Sequence, residues 1–350
     1  MEIMKIVLLG LGVFIGIILP YLVVIIFFPV LSVARQPMLN VKQPNKEDIK
    51  PPKCRKDVSF EVGNTALSAW LYLPENLSTP VACIVMSHGF GGTKDMILES
   101  YALRFVEAGM AVLTFDYRYF GESEGEPRQL FMISYQLEDY KAAVEYARNL
   151  KEIDSDKIAL WGTSASGGYG VVIAAQDKKI ACIVGQCPAL DSQEDGKLAL
   201  KREGIGFFLR LFVHAQRDMG RSRFGLSPHK IPIVGRPGTL AMITASGAFD
   251  GYSKFVSPSF VNEVCARLLL RTHGHNPVDY AKDVQCPVLL QICEKDNLVS
   301  KNSYLKTAKI LGNYAEVKEY PIGHFDIYTG ENFEKAVNDQ IAFFKKHFSK

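Results

Sequence analysis

Short apolar runs alternate with amphipathic stretches through most of the chain beyond residue 57. Eight of the runs have the length and the β-branched and aromatic content of strands, namely VSFEV, LSAWLYL, VACIVMS, AVLTFDY, KIALWG, IACIVGQ, PVLLQIC and AEVKEYP. Apolar residues at helical spacing fill most of the intervals, at 97–109, 134–150, 166–176, 302–312 and 332–348. This alternation predicts an α/β fold: a mostly parallel sheet covered on both faces, with the first two strands as an antiparallel pair.

One long connection interrupts the alternation, between the runs IACIVGQ and PVLLQIC. A structureless loop of that length is rare inside a compact domain. We therefore predict an inserted, mainly helical cap at about 190–282, within a domain that covers 57–350. Its apolar stretch 204–213, GIGFFLRLFV, is expected either to pack against the core or to line an acyl pocket.

The N-terminal part of the chain has a different pattern, because residues 6–33 contain no charged side chain. A bilayer is crossed by about 20 apolar residues, whereas the apolar part of a secretory signal usually has about 7–15. We therefore favour a membrane anchor over residues 1–34. The alternative is a secreted protein cleaved near Ala34, since Ser32-Val33-Ala34 has a small-x-small pattern. Pro20 is expected to kink the segment or to make it re-entrant.

The residues that follow the apolar segment are polar and proline-rich, and 35–56 is predicted to be an extended linker. The linker carries most of the basic side chains that flank the segment: Arg35, Lys42, Lys46, Lys50, Lys53, Arg55 and Lys56. Basic residues collect on the cytoplasmic side of membrane spans. This asymmetry predicts a cytoplasmic catalytic domain.

Charge and cysteine usage exclude several other classes of protein. The chain has 40 Lys and Arg against 37 Asp and Glu, a net charge of +3, and no block of like charges, so nucleic acid is not an expected partner. The seven cysteines form no CxxC motif and favour buried thiols over a metal site. His273 and His275 have a spacing found in metal sites, but no acidic or thiol partner stands at a recognised offset.

A candidate nucleophile follows the run KIALWG, where a strand leads through small-x-Ser-x-small into a helix. This pattern places a serine on a tight turn with its hydroxyl exposed above the sheet. Ser164 fits the spacing with Gly162 and Ser166, and Ser166 fits it with Ser164 and Gly168. We prefer Ser164, because Gly162 directly follows the strand and Ser166 falls inside the helix. The structural alternative is a serine that caps the helix.

A serine nucleophile requires a base and an orienting acid, which in this order of elements come later in the chain. Asp296 follows the run PVLLQIC, and His324 follows AEVKEYP. His324 is predicted to accept the serine proton, and Asp296 to orient the imidazole and stabilise its charged form. Glu294 and Asp326 are rival candidates for the acid.

Acyl transfer also needs hydrogen-bond donors for the developing oxyanion. The loop SHGFGG after the third run offers the backbone N–H of Phe90, and Ala165 offers that of the residue after the nucleophile. His88 precedes the turn and is expected to be structural. Residues 116–123 form another strand-end loop, which is expected to support this region.

The motifs SHGFGG, FDYRYFGESEGEPRQ, WGTSASGG, PVLLQICEKDN and YPIGHFD resemble those of the α/β-hydrolase superfamily. Within it, the chain resembles bacterial dienelactone-hydrolase-like and serine-aminopeptidase-like proteins. The resemblance covers about 58–348 and leaves out the apolar N-terminus. It implies a mostly parallel eight-stranded sheet, a triad of Ser164, Asp296 and His324, no metal or organic cofactor, and hydrolysis of an ester, thioester or amide.

These observations together predict a membrane-anchored, carboxylesterase-like serine hydrolase. Its expected partners are a small-molecule acyl substrate, preferably hydrophobic, and the membrane through residues 6–33. One alternative is an aminopeptidase-like amidase, in which Glu263 or Asp250 grips the substrate's α-ammonium group. The other is a non-catalytic binding module on a hydrolase fold.

Overall fold

The computed structural model describes residues 2–34, 38, 50–75, 77–271 and 276–349. Its strands are β1 (Arg55–Val62), β2 (Thr65–Tyr72), β3 (Val81–Ser87), β4 (Ala111–Phe115), β5 (Ile153–Thr163), β6 (Ile180–Gln186), β7 (Lys230–Ile231), β8 (Val264–Cys265), β9 (Val288–Cys293) and β10 (Ala315–Tyr320). Eight of them form one sheet in the order β1-β2-β4-β3-β5-β6-β9-β10. These eight are the predicted runs, and β1 and β2 pair antiparallel as predicted.

The helices are α1 (Glu2–Val13), α2 (Leu19–Phe27), α3 (Leu98–Glu107), α4 (Ile133–Arg148), α5 (Ala165–Gln176), α6 (Ser192–Glu203), α7 (Ile205–Arg223), α8 (Ala248–Lys254), α9 (Pro277–Tyr280), α10 (Lys301–Leu311) and α11 (Gly330–Phe348). The five helices predicted between strands are α3, α4, α5, α10 and α11. Apolar side chains of α3 and α11 pack on one face of the sheet, and those of α4, α5 and α10 pack on the other. The sheet is therefore covered on both faces, and the predicted fold class is confirmed.

The segment between β6 and β9 is the predicted insertion, and residues 190–282 are called the cap below. Its described part contains α6 to α9 and the short antiparallel pair β7 and β8, which the sequence pattern did not indicate. The apolar stretch 204–213 divides between two environments: Phe207 and Leu211 are buried in the core, whereas Ile205, Leu209 and Phe212 are exposed.

The N-terminal apolar segment is helical from Glu2 to Phe27, and Met4–Phe27 is long and apolar enough to cross a membrane. The helix continues through Pro20, which follows a π-helical stretch at Phe14–Ile18. In such a stretch the backbone hydrogen bonds join residues five apart instead of four, and single π-helical turns of this kind occur within α-helices. The helix ends before residue 33, because Phe28 precedes Pro29 and adopts the extended conformation favoured before proline.

The linker predicted over 35–56 lies largely outside the described residues, which include only 38 and 50–56 of it. β1 begins at Arg55, two residues before the end predicted for the linker. Arg55 pairs with Tyr72 across the two strands and donates a 3.0 Å hydrogen bond to Glu99 of α3. Arg55 therefore belongs to the sheet, because its backbone pairs with β2 and its side chain contacts α3.

The C-terminal part of the N-terminal helix packs against α7 of the cap. The phenol of Tyr21 donates a 2.9 Å hydrogen bond to Oε1 of Gln216. Ile26 is buried against Gly220, and a Cβ at that glycine would lie 2.4 Å from Cδ1 of Ile26. The absence of a side chain at Gly220 thus allows the two helices to approach closely.

Two arginines of α7 satisfy the backbone at the end of α2. Arg217 donates hydrogen bonds to the carbonyl oxygens of Ile25 and Phe28, the latter at 2.6 Å. Arg221 donates one of 3.0 Å to the carbonyl oxygen of Ile26. The last carbonyls of a helix have no partner within it, and cations are favoured at this negative end of the helix dipole. Side chains of the inserted segment therefore supply the hydrogen-bond donors for the last carbonyl groups of the apolar helix.

Candidate active site

Four of the residues singled out from the sequence lie beyond the carboxyl ends of four parallel strands. Phe90 follows β3, Ser164 follows β5, Asp296 follows β9 and His324 follows β10. Because these strands are parallel, their carboxyl ends meet at one edge of the sheet. Ser164, His324 and Phe90 line one cavity of about 60 Å³ at that edge.

Ser164 stands on the sharp turn between β5 and α5. Its backbone has φ 54° and ψ −120°, which L side chains rarely adopt. The turn is close enough that a Cβ at Gly162 would lie 2.3 Å from the carbonyl oxygen of Ser166. The side chain of Ser164 is partly exposed and faces the cavity.

Ser166, the other serine that fits the spacing, is fully buried and does not line the cavity. Its Oγ accepts a 2.9 Å hydrogen bond from the N–H of Thr163 and lies 2.8 Å from the carbonyl oxygen of Ser87 and 3.0 Å from that of Thr163. These contacts hold the hydroxyl inside the turn. Ser166 is therefore a structural residue that links the turn after β5 to the end of β3.

The imidazole of His324 is held by Asp296. Nδ1 of His324 lies 2.6 Å from Oδ2 of Asp296, and both side chains are almost fully buried. The phenol of Tyr304, on α10, donates a 3.2 Å hydrogen bond to the same carboxylate oxygen. Oδ1 accepts hydrogen bonds from the N–H groups of Leu298 and Val299, at 2.7 and 3.0 Å. The carboxylate is thus fixed from both sides.

This arrangement also determines the charges of the two groups. Burial alone disfavours the charged form of His324, but the adjacent carboxylate outweighs burial and raises the pKa of the imidazole above its ordinary value of 6.5. Burial likewise opposes ionisation of Asp296, and the imidazole together with two backbone N–H groups holds the pKa of this carboxyl below its ordinary value. Asp296 is therefore ionised at neutral pH.

The rival acids do not contact the imidazole. Glu294 lies 4.0 Å from Nζ of Lys301, and the carboxylate of Asp326 accepts a 2.9 Å hydrogen bond from the N–H of Gly323. The geometry therefore favours Asp296 among the three candidates.

The loop after β3 brings backbone donors to the nucleophile turn. A Cβ at Gly89 would lie 3.2 Å from Cβ of Ser164, which shows how closely this loop approaches. Within the described residues, the N–H groups of Phe90 and Ala165 donate to no protein acceptor. The loop is fixed from the cap, because the phenol of Tyr252 in α8 donates a 2.8 Å hydrogen bond to the carbonyl oxygen of Phe90. Nothing in the sequence pattern indicated Tyr252.

His88 is buried in the same loop, with its ring edge-to-face against Tyr117 at 4.9 Å. Burial lowers its pKa, and Nδ1 lies 3.0 Å from the carbonyl oxygen of Gly89. This environment agrees with the structural role expected for His88.

A buried ion pair holds the end of the loop after β3. Nζ of Lys94 lies 2.8 Å from Oδ2 of Asp116 and 2.6 Å from Oε2 of Glu122, and Lys94 and Asp116 are inaccessible to solvent. Asp116 also accepts hydrogen bonds from the N–H groups of Lys94 and Glu122, at 2.7 and 2.9 Å. The support expected from residues 116–123 is confirmed, but its lysine partner was missed.

The cavity wall is mostly apolar. Besides the residues already described, the side chains that line it include Met96, Ile97, Ile243, Phe255, Leu298, Phe325 and Tyr328. No residue of the stretch 204–213 belongs to this wall.

The two carboxylates considered for an amidase are paired with basic side chains outside the cavity. Glu263 lies 3.7 Å from Nζ of Lys230, and Asp250 lies 3.3 Å from a guanidinium nitrogen of Arg236. Neither carboxylate lines the cavity. His273 and His275 are outside the described residues.

Comparison with known proteins gives a consistent family assignment. The family model described as "alpha/beta hydrolase fold" matches residues 83–331. The chain is 40% identical over 298 residues to the quorum-quenching protein AidA of Acinetobacter baumannii. This alignment covers 84% of this chain and 96% of the relative. It is also 40% identical over 307 residues to the thiohydrolase aneE of Aspergillus aculeatus, covering 83% and 93%.

Among solved structures, the alpha/beta hydrolase GrgF from Penicillium sp. sh18 is similar with a TM-score of 0.72 and 24% identity, over 85% of this chain and 99% of that one. This likeness supports the fold.

Proposed function

Because the chain belongs to the alpha/beta hydrolase family, we propose that it is a serine hydrolase that cleaves a carboxylic ester or thioester through an acyl-enzyme. The observation that carries the proposal is the 2.6 Å contact between His324 and Asp296 beside a cavity that His324 shares with Ser164. A serine nucleophile, an imidazole base and an ionised acid that orients it are the groups that this kind of acyl transfer uses.

In the proposed mechanism, Oγ of Ser164 attacks the carbonyl carbon of the substrate while Nε2 of His324 accepts the hydroxyl proton. Asp296 keeps the proton of His324 on Nδ1, which leaves Nε2 free to act as the base, and it stabilises the imidazolium that forms. The raised pKa of His324 fits this role, since the carboxylate favours the charged imidazole.

The tetrahedral intermediate carries a negative oxygen, for which the N–H groups of Phe90 and Ala165 are the proposed donors. Collapse of the intermediate breaks the bond to the alcohol or thiol, which takes a proton from Nε2 of His324. Water then attacks the ester of Ser164, with His324 again as base. The acid is released and the free serine restored.

The substrate is proposed to carry a hydrophobic acyl group. The wall formed by Ile243, Phe255 and Leu298 offers apolar contact beside Ser164. A relative named a thiohydrolase, 40% identical to this chain, supports a thioester among the substrates.

An aminopeptidase-like amidase is less well supported. Such an enzyme needs a carboxylate in the cavity to bind an ammonium group. Glu263 and Asp250 face Lys230 and Arg236 instead, as described above.

We place the enzyme at a membrane, with the N-terminal helix as a retained anchor and the catalytic domain in the cytoplasm. Retention is supported by the burial of Ile25 and Ile26, and by the hydrogen bonds from Arg217 and Arg221 that the helix end receives. Cleavage near Ala34 would remove the acceptors of Arg217 and would leave Arg221 only those on Ser227. The basic residues of 35–56 support the orientation.

The substrate class is tested by comparing three sets of compounds with the purified full-length protein: p-nitrophenyl esters and acyl thioesters of graded chain length, and aminoacyl anilides. The proposal expects turnover of the first two sets, with kcat/KM rising with chain length, and little turnover of the anilides. Preference for the anilides would favour the amidase. A folded protein inactive on all three would favour the binding module.

A further inference from the structure

The cap helix α7 carries an apolar stripe along one face. Ile205, Leu209 and Phe212 are separated by four and three residues, so they lie one above another on the helix surface. All three are exposed, at 65%, 58% and 46%. Apolar side chains at this spacing form a face that a partner normally covers.

The same face is covered further along the helix. Gln216, Met219 and Arg223 continue the spacing of the stripe, and together with Gly220 they line a groove against Leu22 and Ile26 of the N-terminal helix. One continuous face of α7 therefore has two parts: its C-terminal half packs on α2, and its N-terminal half is open.

The direction of the two helices follows from their contacts. Tyr21 meets Gln216, and Phe27 meets Phe224 with ring centroids 5.2 Å apart, so residue numbers rise together along both. Toward its N-terminus, α2 continues into the apolar helix. The open half of α7 thus extends on the side from which the apolar helix leaves the domain.

The charges on α7 are mostly positive. α7 contains four arginines and a single acidic residue, Asp218. Asp218 is buried and pairs with Arg267 at 2.8 Å. Arg210, at the open half, and Arg223, at the covered half, are exposed. Arginines beside an apolar stripe suit a surface of anionic headgroups over acyl chains.

We infer that the open half of α7 inserts into the surface of an anionic lipid bilayer, so that the cap rests on the membrane through Ile205, Leu209 and Phe212. The inference rests on the proposed membrane anchor, because continuity with that helix selects lipid as the occupant of the stripe. Interfacial helices of this kind bury their apolar face about 5–10 Å into the boundary between headgroups and acyl chains.

The test uses full-length protein in bilayer discs that contain phosphatidylglycerol and lipids brominated in the upper part of the acyl chain. Single tryptophans are introduced as Leu209→Trp and Phe212→Trp, and wild-type protein supplies the background of Trp70 and Trp161. Bromine quenches tryptophan on contact, so the emission that each introduced tryptophan adds to the wild-type background should fall by about half for a side chain at the interfacial depth. Iodide in the buffer should quench them weakly.

The matched control is Ile310→Trp, an apolar residue 41% exposed near the C-terminal end of α10, outside the cap. Its emission should be quenched by iodide and not by the brominated lipid. Leu11→Trp, in α1, reports separately on the anchor and should be quenched by bromine.

The outcomes separate the two ideas. Quenching of Leu11→Trp with Leu209→Trp and Phe212→Trp indistinguishable from Ile310→Trp would overturn the inference and leave the anchor standing. No quenching of Leu11→Trp would refute the anchor, and the inference with it. Stripe variants shielded from both iodide and bromine would mean that protein covers the stripe, which also refutes the inference. Loss of hydrolysis would concern only the proposed function, since quenching does not depend on it.

Discussion

The phenol of Tyr252 donates a 2.8 Å hydrogen bond to the backbone carbonyl of Phe90, so a residue of the cap fixes the loop beside the candidate nucleophile. If the N–H of Phe90 binds the oxyanion, this contact sets its direction. Catalysis would then depend on the cap even where the cap does not touch the reacting atoms.

Replacing Tyr252 by Phe removes the hydrogen bond and keeps the ring in the cavity wall. One such bond contributes about 1 kcal/mol, so kcat should fall about three- to tenfold while KM changes little. Steady-state kinetics on a p-nitrophenyl ester measures both constants. Tyr314→Phe, at a partly exposed site beyond α10, should leave them unchanged. A rise in KM with unchanged kcat would instead assign Tyr252 to substrate binding.

Ser164 and Ser166, at the turn between β5 and α5, should differ in their response to a fluorophosphonate, which labels an activated serine covalently. Ser164→Ala should abolish labelling. Ser166→Ala should retain it but lower the free energy of unfolding by about 1–3 kcal/mol, because the N–H of Thr163 loses its buried acceptor. Gel fluorescence and denaturant melts measure the two effects. Labelling lost only in Ser166→Ala would identify Ser166 as the nucleophile.

The pH profile should report the raised pKa of His324. The base works only when neutral, so kcat/KM should rise with pH through a midpoint above 6.5. Asp296→Asn removes the negative charge that raises this pKa, so the midpoint should move to lower pH while the rate falls about 10³–10⁴-fold. Glu294→Gln, whose carboxylate does not contact the imidazole, should leave the midpoint in place. An unmoved midpoint in Asp296→Asn would exclude His324 as the titrating base.

The buried pair of Lys94 and Asp116 should matter for folding. Lys94→Met leaves the carboxylate of Asp116 buried without its cation, which should cost about 3–5 kcal/mol of stability. Adding Asp116→Asn should recover part of the loss, because the unpaired charge is then gone. Lys318→Met, at an exposed pair 3.6 Å from Asp339, should change stability by about 0–1 kcal/mol. Equal small losses at both lysines would contradict the structural role of Lys94.

Removing residues 1–34 should separate tethering from catalysis. Every proposed catalytic group lies downstream, so the rate on a water-soluble ester should be nearly unchanged, whereas the rate on a membrane-dissolved substrate should fall about tenfold through loss of local concentration. The truncated protein exposes the face of α7 that packs on α2 and should need detergent to stay dispersed. Equal loss on both substrates would mean that the segment supports the fold. Mature protein beginning at Arg35 would identify a signal peptide.

The sheet was readable from the sequence because its signal is local. Each strand is a short apolar run, and Ser164, Asp296 and His324 each follow one, so strand order alone brings them to the same edge. The supporting contacts are long-range in sequence: Tyr252 reaches Phe90 across 162 residues. No spacing rule relates such positions, because the contact between them depends on how the cap folds back over the sheet.

The packing of α2 on α7 could not be predicted either, because these helices are also far apart in sequence. The composition of the apolar helix adds a second reason. A charge-free helix of bilayer length indicates a lipid environment and hides the few positions that pack on protein. In sequence, Ile25 and Ile26 resemble their exposed apolar neighbours, and the close fit of Ile26 to Gly220 depends on both helices at once.

The backbone of Ser164 has a consequence for anyone who engineers this protein. A side chain held at φ 54° costs about 1–3 kcal/mol, which the surrounding turn must offset. Glycine has no such cost, so a library screened only for heat resistance would enrich glycine at this position and discard the proposed nucleophile. At position 164, durability and activity are opposed, and a thermal screen of this protein needs a covalent activity label in the same assay.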